Sequence, residues 1–270
     1  MRTIVLIPTY NEAANLERIV AGVLDVSGKL DVLVVDDASP DGTGKIADRL
    51  AAERGGRVRV LHRDRKSGLG AAYLDAYRHA LAGRYDKIVT MDADYSHDPR
   101  YLPAMLRQAE HADMVVGSRY VAQGGVRRWG LFRRAVSRLG SVYARWVVGL
   151  SVRDPTAGFH VLSRAAVQRV LAVGPRSSGY TFQVEQKWIV HCAGLSIVET
   201  PIVFENRSTG RSKMTPGIAL EAAWRVWTFR LRGRRERRRG STMSIAPHEH
   251  EPRTPPAAPR RGGRSVAGRW

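Results

Sequence analysis

Residues 89–99 read VTMDADYSHDP, and two carboxylates, Asp92 and Asp94, stand two positions apart where an apolar run stops. A hard divalent cation that takes part of its shell from phosphate oxygens needs only one or two protein carboxylates. If the strand runs through both, their side chains share a face about 6–7 Å apart along the chain. The D-x-D pair alone is a weak signal, and a solvated strand end is its plain alternative. His97 is either a third ligand or a residue that packs against or caps the following helix, the commoner use of histidine in such a place. Asp98 ahead of Pro99 reads as an N-cap with proline at the first helical position.

A second acidic run, DDASPDGT, begins at Asp36. It lacks the G-x-G-x-x-G glycines that bring a dinucleotide pyrophosphate against a helix start. Ser39, Asp41 and Thr43 fit a turn and a helix cap. That reading leaves Asp37 unexplained, and a carboxylate there can accept from a base or a ribose hydroxyl.

These residues need elements to hold them. Strand candidates are 3–8, 31–37, 58–62, 87–92 and 113–118, nearly continuous in Val, Ile and Leu, as in sheets covered on both faces. Helical patterns start at Asn11 and at Asp41 and cover 68–83 and 98–110. The alternation predicts an α/β fold on a mostly parallel sheet flanked by helices. In such sheets ligands bind outside the carboxyl ends of the strands. PTYNE, DDASPDGT, DADYSHD and GSRY all fall at those ends, so four polar strand ends converge on one edge. After about residue 120 come a long helix at 127–150, a strand at 158–163, helices at 164–173 and 181–192, and a strand at 195–204.

The chain has 270 residues and a net charge of +19. Beyond Leu231 there are 11 Arg against 3 Asp or Glu, which accounts for +8, so the body keeps +11. Such a balance seeks phosphates, whether of nucleic acid, lipid or substrate. The single cysteine, Cys192, excludes an intramolecular disulfide, fits a reducing compartment and reads as a buried structural thiol. The N-terminal apolar run is too short for a secretory signal, and no run is long enough to span a membrane. The expected division is a catalytic domain over 1–232, with a nucleotide-binding half at 1–120 and an acceptor- and membrane-facing half at 121–232. A basic, disordered tail is expected over 233–270.

Taken in order, IPTYNEAANL, VVDDASPDGT, GLGAAY, MDADYSHDP, GSRY, DPTAGF and FENRSTGRSKM resemble family 2 glycosyltransferases of the GT-A fold. More narrowly, they are similar to the polyprenol-phosphate (dolichol-phosphate) mannose synthases, over roughly residues 4 to 214. The resemblance implies inverting transfer of mannose from GDP-mannose to a polyprenyl phosphate, with Mg²⁺ or Mn²⁺. It implies nucleotide-sugar contacts from Pro8, Tyr10 and Glu12, from Val35 and Asp37, and from Asp92, Ala93 and Asp94. Asp92 and Asp94 would hold the metal, with Asp94 the direct ligand and Ser96 beside it. Arg119, Arg207 and Lys213 would bind phosphates and, with Asp94, make up the catalytic set; Ser96, Arg119 and Arg133 would meet the acceptor phosphate, with Arg134 a weaker candidate. The chain departs from some members in having no C-terminal membrane-spanning segments. It would then sit peripherally on the cytoplasmic face, reaching its lipid by surface contact or through a membrane-anchoring protein partner.

A phosphate monoester is already ionised near neutral pH, so this chemistry needs positioning and charge stabilisation rather than a strong base. The segments 127–150 and 217–239 pair Trp, Phe and Leu with arginine, the composition of helices lying in a membrane interface. The first could equally pack its apolar face onto the domain. Transfer of glucose from UDP-glucose keeps the same fold. A nucleic-acid-binding protein would use the basic tail, but no zinc-finger, RNP or homeodomain pattern is present, so no specific nucleic acid is expected.

Overall fold

A computed structural model describes residues 1–177, 179–205 and 226–228. Nine strands and seven α-helices are described: β1 (Thr3–Thr9), α1 (Ala13–Val26), β2 (Leu30–Asp36), α2 (Thr43–Glu53), β3 (Val58–His62), α3 (Leu69–Ala82), β4 (Lys87–Thr90), α4 (Leu102–Gln108), β5 (Met114–Ser118), β6 (Gly125–Arg127), α5 (Leu131–Val148), β7 (His160–Ser163), α6 (Arg164–Val173), α7 (Gly179–Cys192), β8 (Ile197–Pro201) and β9 (Val203–Glu205). Seven strands form one sheet in the order β3-β2-β1-β4-β7-β5-β8, and β6 pairs with β9 in a separate ribbon. All pairings are parallel except those of β7, which runs antiparallel between β4 and β5. A strand from the second half of the chain thus sits inside the sheet, and both halves share one core.

The sheet is buried on both faces, which is why its strands carry unbroken apolar runs rather than alternation. On one side Leu6, Leu33, Val35 and Ile88 pack with Tyr73 and Tyr77 of α3 and Phe182 of α7. On the other, Val5, Ile7, Val34 and Val89 meet Leu16, Ile19 and Val20 of α1 and Leu102 of α4. The α1 residues are the three-and-four-spaced set expected of its buried face.

Several expected elements are altered. The 195–204 strand is two strands, because after Pro201 the chain leaves the main sheet: Ile202 N–H donates to Ser118 O, while Ile202 O accepts from Gly125 N–H of the ribbon. The 127–150 helix starts only at Leu131, since Gly125–Arg127 is drawn into pairing with β9. Asp98 caps a 3₁₀ turn, Pro99–Tyr101, by accepting from Arg100 N–H at 2.9 Å, as Asp-Pro suggests. Cys192 is half-buried at the end of α7, less enclosed than its apolar neighbours imply. The tail and most of 217–239 lie outside the described residues.

Candidate active site

Strand register assembles the site. Pro8 pairs with Val35, Thr9 with Asp36, and Leu6 with Thr90. Asp92 is two residues past Thr90, so the ends of β2, β1 and β4 lie abreast on one edge.

The D-x-D pair is not in a strand. β4 ends at Thr90, and a turn follows in which Tyr95 takes a left-handed φ of 61°. The same-face spacing expected of a strand therefore does not apply. The turn gives the two acids different surroundings: Asp92 keeps a third of its side chain exposed, whereas Asp94 is buried. Asp94 Oδ1 accepts from both Ser96 N–H at 3.0 Å and Ser96 Oγ–H at 2.6 Å, which fixes the carboxylate. Ala93 is buried between them.

His97 is resolved as a packing residue. Its Nδ1 accepts from Asp92 N–H at 2.9 Å, so that lone pair is spent on the backbone of the acidic turn. The ring stacks on Phe159 at 5.1 Å and meets Phe204 edge-on at 5.8 Å. Asp92 and Asp94 offer oxygen donors at the turn, which fit a hard cation such as Mg²⁺ or Mn²⁺. Among the described residues no group of three or more His, Cys, Asp or Glu is placed to hold a metal. Two carboxylates fit a cation that takes the rest of its shell from a diphosphate.

At the end of β2, Asp36 is a structural residue: it accepts from Thr9 Oγ, Ser39 N–H and Ser39 Oγ. Asp37 is held by Arg63, which also donates to Asp75 at 3.0 Å. Asp41 ties two helices together, accepting from Thr43 at the start of α2 and from Ala13 N–H at the start of α1. Desolvation raises its pKa, but those bonds together win and lower it below the ordinary value. Glu12 stands at the N-cap of α1, its carboxylate bonded to Asn15 at 2.9 Å. Lys66 Nζ lies 3.6 Å from the centre of the Tyr10 ring, a cation–π pair at the mouth of β1. Val35 is wholly buried, and its side chain packs in the core with α3.

Arg119 does not present a free fork. Its backbone N–H and Nε donate to Asp154 Oδ2 at 3.0 and 2.7 Å, and its terminal nitrogen donates to Asp154 Oδ1 at 2.7 Å and Thr156 Oγ at 2.8 Å. The fork of the arginine that would bind a phosphate is engaged here with Asp154. Burial raises the Asp154 pKa, but the Arg119 charge and hydrogen bonds win and hold it below the ordinary value. Glu199 closes the loop from β8, accepting from the backbone N–H of Arg153 and Asp154. Arg133 stacks over Trp129 at 4.1 Å, and Trp129 meets Phe204. Arg134 donates to Val126 O. Arg207 and Lys213 lie outside the described residues.

Sequence reasoning missed the layer beneath the loop 154–159. Lys187 of α7 is fully buried and donates to Ala157 O at 2.7 Å and Gln183 O at 3.3 Å. Burial, partly countered by Asp154, lowers its pKa to about 7. His160 Nδ1 lies 3.2 Å from both Thr90 Oγ and Gln186 Nε2; burial, then the Lys187 charge, pushes its pKa far down, so it is neutral. Tyr73, also buried, stays protonated through desolvation and then the Asp92 charge. The one sequence signal for this layer is that polar residues interrupt a helix otherwise apolar on every side, as in FQVEQKW.

Residues 4–171 match the family model described as glycosyl transferase family 2. The chain is 42% identical over 240 residues to a polyprenol monophosphomannose synthase of Mycolicibacterium smegmatis, covering 88% of this chain and 91% of that protein. It is 43% identical over 236 residues to an undecaprenyl-phosphate mannosyltransferase of Micrococcus luteus, covering 87% and 97%. Among solved structures it superposes on glucosyl-3-phosphoglycerate synthase from Mycobacterium tuberculosis in complex with Mn²⁺, UDP and glucosyl-3-phosphoglycerate, with a TM-score of 0.59, 21% identity, and 86% and 79% of the two chains covered. The same enzyme has been solved with Mg²⁺ and UDP, at a TM-score of 0.59 and 19% identity, with 86% and 79% covered. At those identities the likeness speaks to a GT-A-like fold alone.

Proposed function

The chain belongs to glycosyl transferase family 2, and from that premise we propose that it transfers mannose from GDP-mannose to a polyprenyl phosphate. The observation that carries this reading is the similarity, along almost their full lengths, to two proteins that both bear names of mannosyl transfer to polyprenol-linked phosphate.

The site supports the chemistry. Asp92 and Asp94 would hold Mg²⁺ or Mn²⁺, which when bound supplies charge neutralisation for the departing nucleoside diphosphate. Asp94, fixed by Ser96, gives a preorganised oxygen; Asp92, a third exposed, faces the edge where the donor arrives. Pro8, Tyr10, Glu12 and Asp37 would line the nucleotide, with Ala93 closing its diphosphate end. The acceptor phosphate oxygen would attack the anomeric carbon in line, forming the new C–O bond as the bond to the diphosphate breaks, with inversion. Ser96, Arg119 and Arg133 would orient that acceptor phosphate, and Arg207 and Lys213 would add positive charge near the phosphates. Asp154 is committed to Arg119 and plays no proton-transfer part.

Residues 1–120 would form the nucleotide-binding half and 121–232 the acceptor- and membrane-facing half, with Ser96 and Arg119 of the first half reaching the acceptor phosphate. Among the described residues no helix is long and apolar enough to cross a membrane. Peripheral attachment at the cytoplasmic face, directly or through an anchoring protein, would bring the lipid to the site. The exposed apolar side chains of α5, Phe132, Leu139 and Trp146 among them, suit direct contact. The test is transfer from radiolabelled GDP-mannose to a short-chain polyprenyl phosphate with added Mg²⁺ or Mn²⁺. Equal use of UDP-glucose as donor overturns the mannose assignment.

A further inference from the structure

One cavity lies just beyond the end of β5, away from the ends of β1, β2 and β4. It measures about 320 Å³ and is lined by Tyr120, Arg138, Ser141, Val142, Arg145 and Arg153. Three guanidinium groups share it, and no carboxylate lines it. None of the three has an ion pair among the described residues. Arg145 Nε is buried there without a hydrogen-bond partner among the described residues. A buried donor on a cation is costly to leave unmet, and mutual repulsion of three like charges adds to that cost. An anion in the cavity removes both.

The neighbourhood says what kind of anion. Val142 lines the cavity and is half exposed, and it belongs to the outward face of α5. On that face Leu131, Phe132, Leu139 and Trp146 are 82%, 84%, 69% and 70% exposed. At 100° per residue these side chains form one stripe, and Arg138 and Arg145 stand along its edge. A phosphate held by the arginines would have its apolar chains laid on that stripe. No lining residue belongs to the strand ends of β1, β2 or β4, where the donor is assigned.

We propose that this cavity binds the headgroup phosphate of an anionic membrane phospholipid distinct from the acceptor, with Arg138, Arg145 and Arg153 as its ligands. It would seat the enzyme on the membrane in a fixed orientation, with Tyr120 and Arg153 adjoining Arg119 and Asp154 of the site.

The test measures sedimentation of the full chain with vesicles of phosphatidylcholine alone, or with about a third phosphatidylglycerol, so that turnover is not involved. R138Q/R153Q is expected to lower binding to the phosphatidylglycerol vesicles by about tenfold or more, since each arginine near such a surface counts for about 1 kcal/mol. The charge-matched control R54Q/R107Q changes two exposed arginines elsewhere and is expected to cost less than threefold by the same scale. R145Q, a single change, should lower the same binding by about fivefold, with circular dichroism confirming the fold. Equal losses in the control reduce the effect to bulk charge and overturn the proposal. Inorganic phosphate that displaces the protein from these vesicles while sulfate at equal ionic strength does not would make this a free-phosphate site, which also overturns it. A raised KM for polyprenyl phosphate in detergent for R138Q/R153Q would make the cavity the acceptor site, the third overturning result; an unchanged KM supports the proposal.

Discussion

Arg119 and Asp154 form a closed pair at the end of β5, joined by three contacts of 2.7 to 3.0 Å, with both side chains nearly out of solvent. A buried pair broken on one side leaves an uncompensated charge, typically a loss of about 3–5 kcal/mol. D154A should therefore lower the urea midpoint sharply, whereas R119K keeps the charge but loses the fork. R119K is expected to retain most of the stability and lose about tenfold or more in transfer. An R119K enzyme with unaltered turnover would remove Arg119 from the phosphate site.

Asp94 is expected to matter more than its stability contribution suggests. D94N should leave the unfolding free energy within about 1 kcal/mol of wild type and lower metal-dependent transfer by at least about a hundredfold. Full metal-dependent transfer by D94N would sink the role given to it. S96A, which removes the 2.6 Å bond to Asp94, should weaken the apparent metal affinity by about tenfold while leaving the fold intact. Titration of transfer against Mn²⁺ concentration reads both.

His97 supports the acidic turn from behind. H97L removes the acceptor of Asp92 N–H and should cost about 1–3 kcal/mol, seen by urea unfolding. Its metal affinity should fall less than that of D94N, because no ligand is lost. A metal affinity as low as that of D94N would make His97 a ligand after all.

Lys187 predicts a pH dependence of stability. Unfolded, its amine titrates near the ordinary 10.5; folded, near about 7. Between these values the unfolded chain binds a proton that the folded chain releases, so this group's contribution rises with pH across that window. Below about 7 both states are charged, the pH dependence vanishes and the burial penalty on the ammonium is at its full size. K187M should flatten the rise in unfolding free energy between about pH 7 and about pH 10, measured by urea titration. An unaltered slope in K187M would show that Lys187 stays charged in the fold.

Packing around α3 gives a final check. A Cβ at Gly70 would come 2.8 Å from Ser177 O and 3.0 Å from the Phe182 ring. G70A is expected to destabilise by about 1–3 kcal/mol in thermal melts through overpacking.

The layered α/β fold and the edge that carries the site are legible in the sequence because both follow from local patterns. Unbroken Val and Ile runs report a sheet covered on both faces, and polar residues at successive strand ends report the edge where parallel strands stop. Asp98 with Pro99 and Asp41 with Thr43 are likewise local, since a cap bonds to backbone two or three residues away. Other features depend on partners distant in the chain. Whether Asp92 and Asp94 stand on a strand or in a turn depends on where pairing with β1 ends. That Arg119 answers to Asp154, Asp37 to Arg63, and His97 to the Asp92 amide and Phe159 depends on approach across the fold. The break at Pro201 appears only once β6 is there to receive β9. Lys187 is the limiting case: a lysine reads as a surface charge until the packing of α7 shows its ammonium enclosed and holding Ala157 O. Sequence by itself determined which residues could do chemistry and the edge on which they meet, through short-range geometry; tertiary structure alone decided which charges are spent on one another.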